Sequence, residues 1–515
     1  MTLPPLSRQL LRERPGLAAE AGVRVPAHAL REDLPERALQ FGTGALLRGL
    51  IEPLLDDAIA RGELDGRVVM VGQTGSGRDR AINRQDGLFT LVARGLVGGE
   101  ARSERRVIAS VSRALSAADE WEAVLSLARS PELRMVFSNT TEAGLALDET
   151  DAPDAHPPRS FPGKLTRFLW ERARAFDFGD DGGLAILPTE LIAHNGAVLR
   201  DAVLALARRW SLDGDFERWI GDSVGFFDTL VDRIVPGTPQ TSERARMEAE
   251  IGWRDELLTV AERYALLAIQ GDGGDALPFS GAGEGGIEVV MEREITPYRE
   301  RKLRLLNGTH TAMTPLALLC GCDTVREAMD DGLVGRFVER VMLDEITPYV
   351  PAPDAERFAR EVLARFANPY LHHAIADIAL QQTMKLRVRV VPSILAYARA
   401  TGEAPPSLAF AFAAYLRFAR GDLQRDRESA GRPLPRDDGG PALRAIWQSF
   451  GDDPVAVARR ACADAALWGA DLSAIPGFAN AVAGALVKVM RLGAPAALGL
   501  YLLGTGVTSP AEVGA

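Results

Sequence analysis

The sequence predicts a two-domain protein, in which an α/β domain built on a parallel sheet precedes a mostly α-helical domain. Three observations support this prediction. The 515 residues are too many for a single hydrophobic core. In the first half, short apolar runs alternate with helical stretches, which is typical of a parallel sheet covered by helices. From about residue 255 onward, the apolar residues follow a helical period and strand-like runs become rare.

This pattern divides the chain into three segments. Residues 1–35 are rich in proline and arginine, and we expect an irregular or loosely helical leader there. Residues 36–254 form the predicted α/β domain, and residues 255–515 form the predicted helical domain. Helical periodicity in the second domain is clearest in seven stretches: 256–269, 301–321, 324–331, 356–366, 371–383, 407–419 and 480–491.

Four short apolar runs predict the strands of the first domain. They are residues 38–41, 67–72, 133–138 and 183–188, with helical stretches at 117–128 and 163–176 between them. The run at 67–72 is almost continuously apolar, which is typical of a parallel strand buried on both faces. Because ligands of such sheets bind at the carboxyl ends of the strands, we expect the residues after these runs to lie around one crevice.

A glycine turn follows the first predicted strand. Gly42 and Gly44 form a GxG turn, and a helical pattern then runs from Leu46 to Ile59. A strand, a GxG turn and a helix are the setting in which a Rossmann-type domain binds a dinucleotide, because the backbone approaches the pyrophosphate at the helix N-terminus. The third glycine of that fingerprint is replaced by Leu47, so a GxG turn alone is a weak signal, and with its flanking strand and helix it is equally compatible with a purely structural role.

The segment from 297 to 310 combines three side chains suited to carbonyl chemistry. Lys302 could move a proton, Asn307 could donate a hydrogen bond, and His310 is a second titratable donor. In an α-helix the three would span an arc of about 140°, so one cleft could receive them all. The alternative is a solvated cationic face, because four cations stand within six positions: Arg299, Arg301, Lys302 and Arg304.

The scarcity of lysine favours the chemical interpretation of this segment. The chain holds only four lysines among its 59 basic residues: Lys164, Lys302, Lys385 and Lys488. A solvated face in this protein would normally be built from arginine. Arginine does not give up its proton, whereas lysine can.

Composition excludes several other classes of protein. The formal net charge of -11 argues against a general nucleic-acid binder. Three cysteines cannot form a disulfide framework, and the six scattered histidines suggest no metal site, so we expect no metal. No apolar run has the length of a signal peptide or a membrane span, so we expect a cytoplasmic protein without a membrane partner. The oligomeric state stays open.

Nine stretches, in order along the chain, carry a family resemblance. They are QFGTGALLRG at 40–49, QDGLFTLVARGL at 85–96, MVFSNTTEAGL at 135–145, SFPGKLTRFLWER at 160–172, LPTELIAHNG at 187–196, TLVDRIVPG at 229–237, PYRERKLRLLNGTHTAMTP at 297–315, DTVREAMDD at 323–331 and RFANPYLHHAIADIALQQTMK at 365–385. On these the chain resembles the mannitol dehydrogenase family of polyol-specific long-chain dehydrogenases over about residues 39–492. SNTTEAG and LPTELI favour its hexuronate branch, to which the tagaturonate reductases belong.

The resemblance implies a metal-independent, nicotinamide-dependent oxidoreductase with a Rossmann-type N-terminal domain and a mostly α-helical C-terminal domain. On matching positions, Lys302 would be the acid/base, and Asn307 and His310 would hydrogen-bond the reacting oxygen. Asp232, in the VDR motif, would lie near the lysine. Three residues are candidates to bind the substrate: Glu190, Arg299 and Lys385. Glu190 departs from the mannitol branch, where an asparagine would help to hold the oxyanion.

The resemblance favours NAD as the cofactor. Eight residues are candidates to bind it: Phe41, Gly42, Gly44, Leu46, Arg48, Gln73, Asn139 and Thr140. Gln73 stands where the ribose of NAD normally meets Asp or Glu, and an amide can still hydrogen-bond the 2'-hydroxyl. Arg78 and Arg80 follow, which leaves NADP open as an alternative.

The expected substrate is a small-molecule sugar acid, an open-chain keto-uronate. The principal expectation is reduction of D-tagaturonate to D-altronate. Fructuronate reduction, or the activity of a polyol dehydrogenase similar to mannitol 2-dehydrogenase, is the alternative within the class. Two further classes are a catalytically silent nucleotide-sensing protein and a metal-dependent isomerase or epimerase. The presence of all three signature residues argues against the first, and the lack of a metal cluster in the sequence argues against the second.

Overall fold

The computed structural model describes residues 3–73, 75, 77–140, 142–212, 214–271, 277 and 287–504. It divides the chain into two compact units, Met1–Ile295 and Thr296–Ala515. The described part of the first unit combines strands and helices, and that of the second contains helices and no strand. The predicted order of a Rossmann-type α/β domain followed by a mostly α-helical domain is confirmed.

The strands of the first unit, within the described residues, are β1 Val23–Arg24, β2 Glu36–Phe41, β3 Arg67–Gly72, β4 Phe89–Val97, β5 Glu100–Ile108, β6 Val111–Ser116, β7 Met135–Ser138, β8 Leu184–Pro188, β9 Val224–Phe226, β10 Thr229–Asp232, β11 Thr259–Glu262, β12 Ala265–Gln270 and β13 Ile287–Glu292. Its α-helices are α1 Arg8–Glu13, α2 Pro15–Glu20, α3 Ala45–Arg61, α4 Arg78–Arg84, α5 Trp121–Leu127, α6 Phe161–Ala175, α7 Asn195–Arg209, α8 Gly214–Ser223 and α9 Thr241–Ile251.

The α-helices of the second unit are α10 Thr296–Arg301, α11 Thr309–Leu319, α12 Val325–Asp330, α13 Val334–Arg340, α14 Ala355–Phe366, α15 Ile375–Ile378, α16 Gln382–Lys385, α17 Val391–Thr401, α18 Pro406–Ala419, α19 Asp422–Ser429, α20 Gly440–Phe450, α21 Pro454–Cys462, α22 Ala465–Trp468, α23 Phe478–Leu492 and α24 Ala494–Gly504. Its π-helices are Lys302–Gly308, Val341–Ile346 and Leu386–Val390. Within the described residues, none of the helices has the length and apolar character needed to cross a membrane.

A parallel sheet forms the centre of the first unit. In the described residues its strand order is β6-β3-β2-β7-β8-β9, and every neighbouring pair is parallel. Alternate residues of β3 enter two different cores: Val68 and Met70 pack on the side of α3, and Val69 and Val71 on the side of α5 and α6. Both faces are covered, which explains the continuous apolar run at 67–72. Since β3 and β7 flank β2 on opposite sides, the strand order reverses at β2, where sheets of this kind bind ligands.

The prediction of a helix at 256–269 is wrong. Residues 259–262 are β11, which pairs in parallel with β4, and residues 265–270 are β12, which pairs with β10 and β13. Residues 265–269 are all buried, and a short continuous apolar run cannot be assigned to helix or strand by periodicity alone. These strands belong to the first unit, which therefore extends to residue 295 rather than to the expected boundary after residue 254.

The expected leader is part of the first unit's core. Helices α1 and α2 and strand β1 lie in residues 1–35, and β1 pairs in parallel with β5. Leu6, Leu10 and Leu11 are buried in a cluster with Trp253 and Met247. The segment is therefore more regular than its proline and arginine content predicts, because its apolar residues dock on the strands.

The second unit surrounds a buried helix. In α18, residues 407–416 are all buried, and the helix packs against α11 and α23. Four expected helical stretches correspond to α12, α14, α18 and α23. The stretch at 371–383 is broken into α15 and α16, because the chain before Ile375 is extended and Ala374 pairs with Thr324.

A buried carboxyl group on α3 makes the stability of the protein depend on pH. Glu52 is fully buried, accepts a hydrogen bond from Ser110 Oγ at 2.6 Å, and burial raises its pKa to about 8. Between the ordinary pKa and pH 8 the folded protein therefore binds more protons than the unfolded chain. The free energy of unfolding should fall as pH rises through this range, by at most about 1.4 kcal/mol per pH unit for this group.

Glu52→Gln should reduce that loss of stability, because the amide does not ionise. The measurement is denaturant unfolding at pH 5 and pH 8 for the wild type and the variant. Glu100→Gln, on an exposed strand end, serves as the matched control and should behave like the wild type. An equal loss of stability between the two pH values in Glu52→Gln would contradict the assignment.

Candidate functional site

A cleft opens in the first unit at the carboxyl ends of β2, β3 and β7. Its volume is about 810 Å³. Five residues predicted to bind the cofactor line it: Gly42, Gly44, Gln73, Asn139 and Thr140. The structure therefore brings together the residues that follow three of the predicted strands, as expected for a parallel sheet.

The two glycines of the turn differ in backbone conformation and in surroundings. Gly42 has φ +127°, and a Cβ there would lie 3.1 Å from Leu47 Cδ1 and 3.3 Å from the carbonyl oxygen of Asn139. Only glycine fits that position without strain. Gly44 is the N-cap of α3 with φ -69°, and no atom of the described residues lies within 4 Å of a Cβ placed there. Gly44 therefore borders open space in front of the first turn of α3.

Three of the cofactor candidates lie behind the turn. Phe41 is buried, with its ring centroid 5.2 Å from that of Phe161, and Leu46 packs against the core on the other face. Arg48 is buried, and its guanidinium donates to the carbonyl oxygen of Thr43 and to Thr259 Oγ1. Burial lowers the pKa of Arg48 to about 10. These side chains hold the turn in place and do not line the cleft.

Glu190 fixes the tip of β7. Its carboxylate accepts hydrogen bonds from Ser138 Oγ at 3.1 Å, from the Thr140 amide at 2.9 Å and from Thr140 Oγ1 at 3.0 Å. Burial raises the pKa of Glu190. The neighbouring Asn139 donates through Nδ2 to the carbonyl oxygen of Thr189 at 3.0 Å. Asp232, also in the first unit, is buried at the end of β10 opposite Leu266 of β12.

The N-terminus of α6 also lines the cleft, although the sequence predicted only residues at strand ends there. Ser160 caps this helix by accepting from the Gly163 amide at 2.9 Å. Lys164, only 5% exposed, donates from Nζ to the carbonyl oxygen of Arg159 at 2.8 Å, and burial lowers its pKa. The SFPGK sequence at 160–164 could have indicated this helix N-terminus, because it combines a proline at a helix start with one of the four lysines. A second helix N-terminus adds to the cleft's preference for anions.

The lysine segment of the second unit is not an α-helix. Residues 302–308 form a π-helix, in which each amide bonds to the carbonyl five residues earlier. Lys302 and Asn307, five apart, are therefore on successive turns of one face, whereas an α-helix would separate them by about 140°. His310 follows in the first turn of α11. The π-helix gathers Lys302 and Asn307 more closely than the sequence predicts.

The alternative of a solvated cationic face is wrong. Arg301 is only 1% exposed, donates from Nη1 to the carbonyl oxygen of Pro353 at 3.0 Å, and lies over the ring of Phe358. Arg304 pairs with Glu300 at 2.9 Å. Arg299 is half-buried, and its Nη2 has no hydrogen-bond partner among the described residues.

His310 is held as a neutral imidazole. It is 5% exposed, its ring stacks on Phe366 at 3.9 Å between centroids, and His373 meets it edge-on at 5.1 Å. Burial, with His373 and nearby cations, lowers the pKa of His310 well below its ordinary value. Its Nε2 lacks a hydrogen-bond partner in the part of the chain that the structure describes. A neutral ring with an unused nitrogen can donate to or accept from a ligand.

Lys385 belongs to the same region of the second unit. A Cβ on Gly308 would lie 3.1 Å from the carbonyl oxygen of Arg389, so the two π-helices at 302–308 and 386–390 are in close contact. Gln382 Nε2 donates to the carbonyl oxygen of Thr311 at 2.8 Å. Lys385 Nζ donates to the carbonyl oxygen of Ile378 at 3.0 Å, and burial, with Arg389, lowers its pKa. The predicted site residues thus form two groups, one in each unit.

Comparisons with known proteins agree with this architecture. Two family models match the chain, the mannitol dehydrogenase Rossmann domain at residues 36–276 and the mannitol dehydrogenase C-terminal domain at residues 294–490. The altronate oxidoreductase of Bacillus subtilis (strain 168) is 40% identical over 478 residues, which cover 92% of this chain and 96% of that protein. The chain belongs to the mannitol dehydrogenase family. It is an oxidoreductase of that family, and the predicted resemblance is confirmed.

Further comparisons give the same result. The altronate oxidoreductase of Yersinia pestis is 39% identical over 475 residues, covering 91% of this chain and 97% of that protein. The solved mannitol 2-dehydrogenase of Pseudomonas fluorescens, in a ternary complex with NAD and D-mannitol, superposes with a TM-score of 0.67 at 26% identity, covering 98% of this chain and 100% of that one. A D-sorbitol dehydrogenase, with a TM-score of 0.75 at 22% identity, supports the fold.

Proposed function

We propose that the chain is an NAD(H)-dependent, metal-independent keto-uronate reductase whose main reaction converts D-tagaturonate to D-altronate. The similarity to altronate oxidoreductases, at about 40% identity over about nine-tenths of the chain, carries the proposal. The cluster of Lys302, Asn307 and His310 in the second unit supports it, because these groups supply acid/base and hydrogen-bonding functions.

The cleft of the first unit would hold the cofactor. The glycine turn leaves open space at Gly44, before the N-terminus of α3, which suits a pyrophosphate. Gln73 would hydrogen-bond the adenosine ribose, and Asn139 and Thr140 would face the nicotinamide. When bound, NADH supplies the hydride for reduction of the ketone. Binding of NAD by the related mannitol 2-dehydrogenase supports NAD over NADP.

Residues of the second unit would manage the substrate oxygen. As the ketone is reduced, negative charge develops on that oxygen, and Lys302 would deliver the proton that makes it a hydroxyl. Asn307 would donate a hydrogen bond to the same oxygen as its charge grows. The neutral ring of His310 would hydrogen-bond that oxygen or a neighbouring hydroxyl through its free nitrogen. Asp232 would tune the proton transfer, and these groups need no metal for the reaction.

The three substrate candidates would divide into two roles. Lys385 would contact the carboxylate of the sugar acid, and Arg299 offers an unused guanidinium nitrogen for a hydroxyl or the same carboxylate. Glu190 already accepts three hydrogen bonds from Ser138 and Thr140. We therefore propose Glu190 as a positioning residue for the strand tip rather than as a direct contact to substrate.

A substrate panel tests the proposed function. NADH absorbance is followed with D-tagaturonate, D-fructuronate and D-fructose, each with and without EDTA. Oxidation of NADH with D-tagaturonate that EDTA leaves unchanged is the expected result. Preference for D-fructuronate or D-fructose would replace the proposal by a fructuronate reductase or a polyol dehydrogenase. NADH binding without turnover would indicate a nucleotide sensor, and EDTA-sensitive conversion without NADH oxidation an isomerase.

Replacing Gly44 and Gly42 by alanine, one at a time, should distinguish an effect on cofactor binding from an effect on stability. Gly44→Ala should raise the Kd for NADH at least about tenfold, because its methyl group enters the space proposed for the pyrophosphate. It should lower the free energy of unfolding by less than about 1 kcal/mol. Gly42→Ala should weaken NADH binding and also lower the free energy of unfolding by about 1–3 kcal/mol, because φ +127° strains an alanine.

Fluorescence titration with NADH and thermal unfolding measure the two effects. Gly214→Ala at the start of α8 is the matched control, since a Cβ there also meets no described atom within 4 Å. It should leave NADH binding unchanged. Normal NADH affinity in Gly44→Ala would place the pyrophosphate elsewhere.

A further inference from the structure

Positive charge gathers around His310 in the second unit. Three cations, Arg365, Arg389 and Lys385, lower the pKa of this ring, and His373 does so as well when it is protonated. Asp377 raises the pKa of the neighbouring His373 and so offsets part of this charge there. Such an arrangement is costly in the free protein and becomes favourable when an anion enters.

Arg389 is the unusual member of this group. It is half-buried in the π-helix 386–390, and burial lowers its pKa. In the part of the chain that the structure describes, its guanidinium makes no hydrogen bond and no ion pair. Several other arginines of the second unit are paired, as Arg304 is with Glu300 and Arg326 with Asp330. A half-buried guanidinium with five unused donors is a strong candidate to receive a ligand.

The backbone of Arg389 lies against the proposed acid/base segment. Its carbonyl oxygen lies against Gly308, between Asn307 and Thr309 in the chain. Lys385 is one turn before it, and Arg389 is near enough to lower the pKa of both Lys385 and His310. Two cations on neighbouring turns therefore stand beside the face that carries Asn307 and His310.

We propose that Arg389 binds the carboxylate of the substrate together with Lys385, and that it sets the preference for sugar acids over uncharged ketoses and polyols. This inference rests on the proposed function and adds to it the residue that recognises the acid. A guanidinium suits this role because it can meet both carboxylate oxygens with parallel hydrogen bonds, whereas the ammonium of Lys385 is a point charge. The gain on binding is large because the ligand neutralises a cation that has no counter-charge among the described residues.

Substrate kinetics of Arg389→Ala test the inference. The KM for D-tagaturonate should rise about 10- to 100-fold, the range for a hydrogen bond to a charged group, while kcat changes only a few-fold. The ratio of kcat/KM for D-tagaturonate to that for D-fructose should fall by a similar factor. Arg389→Lys should recover part of the loss, since it keeps the charge and loses the paired geometry. Arg387→Ala is the matched control, because Arg387 lies two positions away and is exposed.

A binding measurement gives a second readout without turnover. Calorimetric titration of D-altronate into the NADH-saturated protein should show a Kd raised about 10- to 100-fold in Arg389→Ala and unchanged in Arg387→Ala. D-Altronate binding that Arg389→Ala leaves intact, or an equal loss of kcat/KM with D-fructose, would overturn the inference and leave the proposed function standing. No binding of D-altronate to the wild type would overturn both.

Discussion

Replacing Lys302 with alanine should lower kcat by about 10²–10⁴, the range for a general acid/base. The physical reason is the proton that the reduced oxygen must receive. Lys302 and Asn307 lie on one face of a π-helix, so the ammonium and the amide can address the same oxygen. Steady-state kinetics with D-tagaturonate and NADH measure the loss, and thermal unfolding should show an intact fold.

Two further variants separate proton transfer from charge. Lys302→Arg keeps the positive charge but does not release its proton, so it should be nearly as inactive as Lys302→Ala. Lys488→Ala is the matched control, because Lys488 is exposed on α23 and should be replaceable with less than a twofold change in kcat. Wild-type turnover in Lys302→Arg would show that the residue contributes charge and not a proton.

Asn307→Ala should lower kcat by about 10²–10³, the loss that follows removal of one hydrogen-bond donor to a developing oxyanion. The KM for D-tagaturonate should change much less, since the bond strengthens only as charge develops. The backbone should tolerate the change, because the bond from Thr311 Oγ1 goes to the carbonyl oxygen of Asn307 at 2.7 Å and not to its side chain.

Asn307→Asp gives the sharper comparison. It has nearly the same shape but replaces the donor with a negative charge, so its loss of kcat should equal or exceed that of alanine. Asn480→Ala, on the exposed face of α23, is the control for asparagine replacement and should be neutral. A raised KM with normal kcat in Asn307→Ala would assign this residue to ground-state binding instead.

The fold was predictable where a pattern has one physical meaning. The glycine turn between an apolar run and a helical period predicted β2 and α3, and the apolar run at 67–72 predicted β3. The pattern failed at 259–270, because short strands buried on both faces have the same continuous apolar character as buried helix. It also failed at 371–374, where an isolated pairing of Ala374 with Thr324 overrides the local periodicity.

The sequence predicted which residue types form the site, but not how their side chains are arranged. The scarcity of lysine and the spacing of Asn307 and His310 located the segment, but a π-helix has no recognisable sequence period. Proximity to the glycine turn selected Phe41 and Arg48, whose side chains point away from the cleft. For Arg389, only the structure reveals that the guanidinium is half-buried and without a counter-charge in the described part of the chain.

The chain has only four lysines, and Lys164 is buried with its amine donating to the carbonyl oxygen of Arg159. An amine-selective reagent therefore has few side chains to modify. Lys488 is open to solvent, and Lys302 and Lys385 are partly so. Acylation followed by mass spectrometry can therefore report on two amines of the proposed site separately, with Lys488 as an internal standard. In a protein with a usual lysine content, the same labelling would be spread over dozens of surface positions.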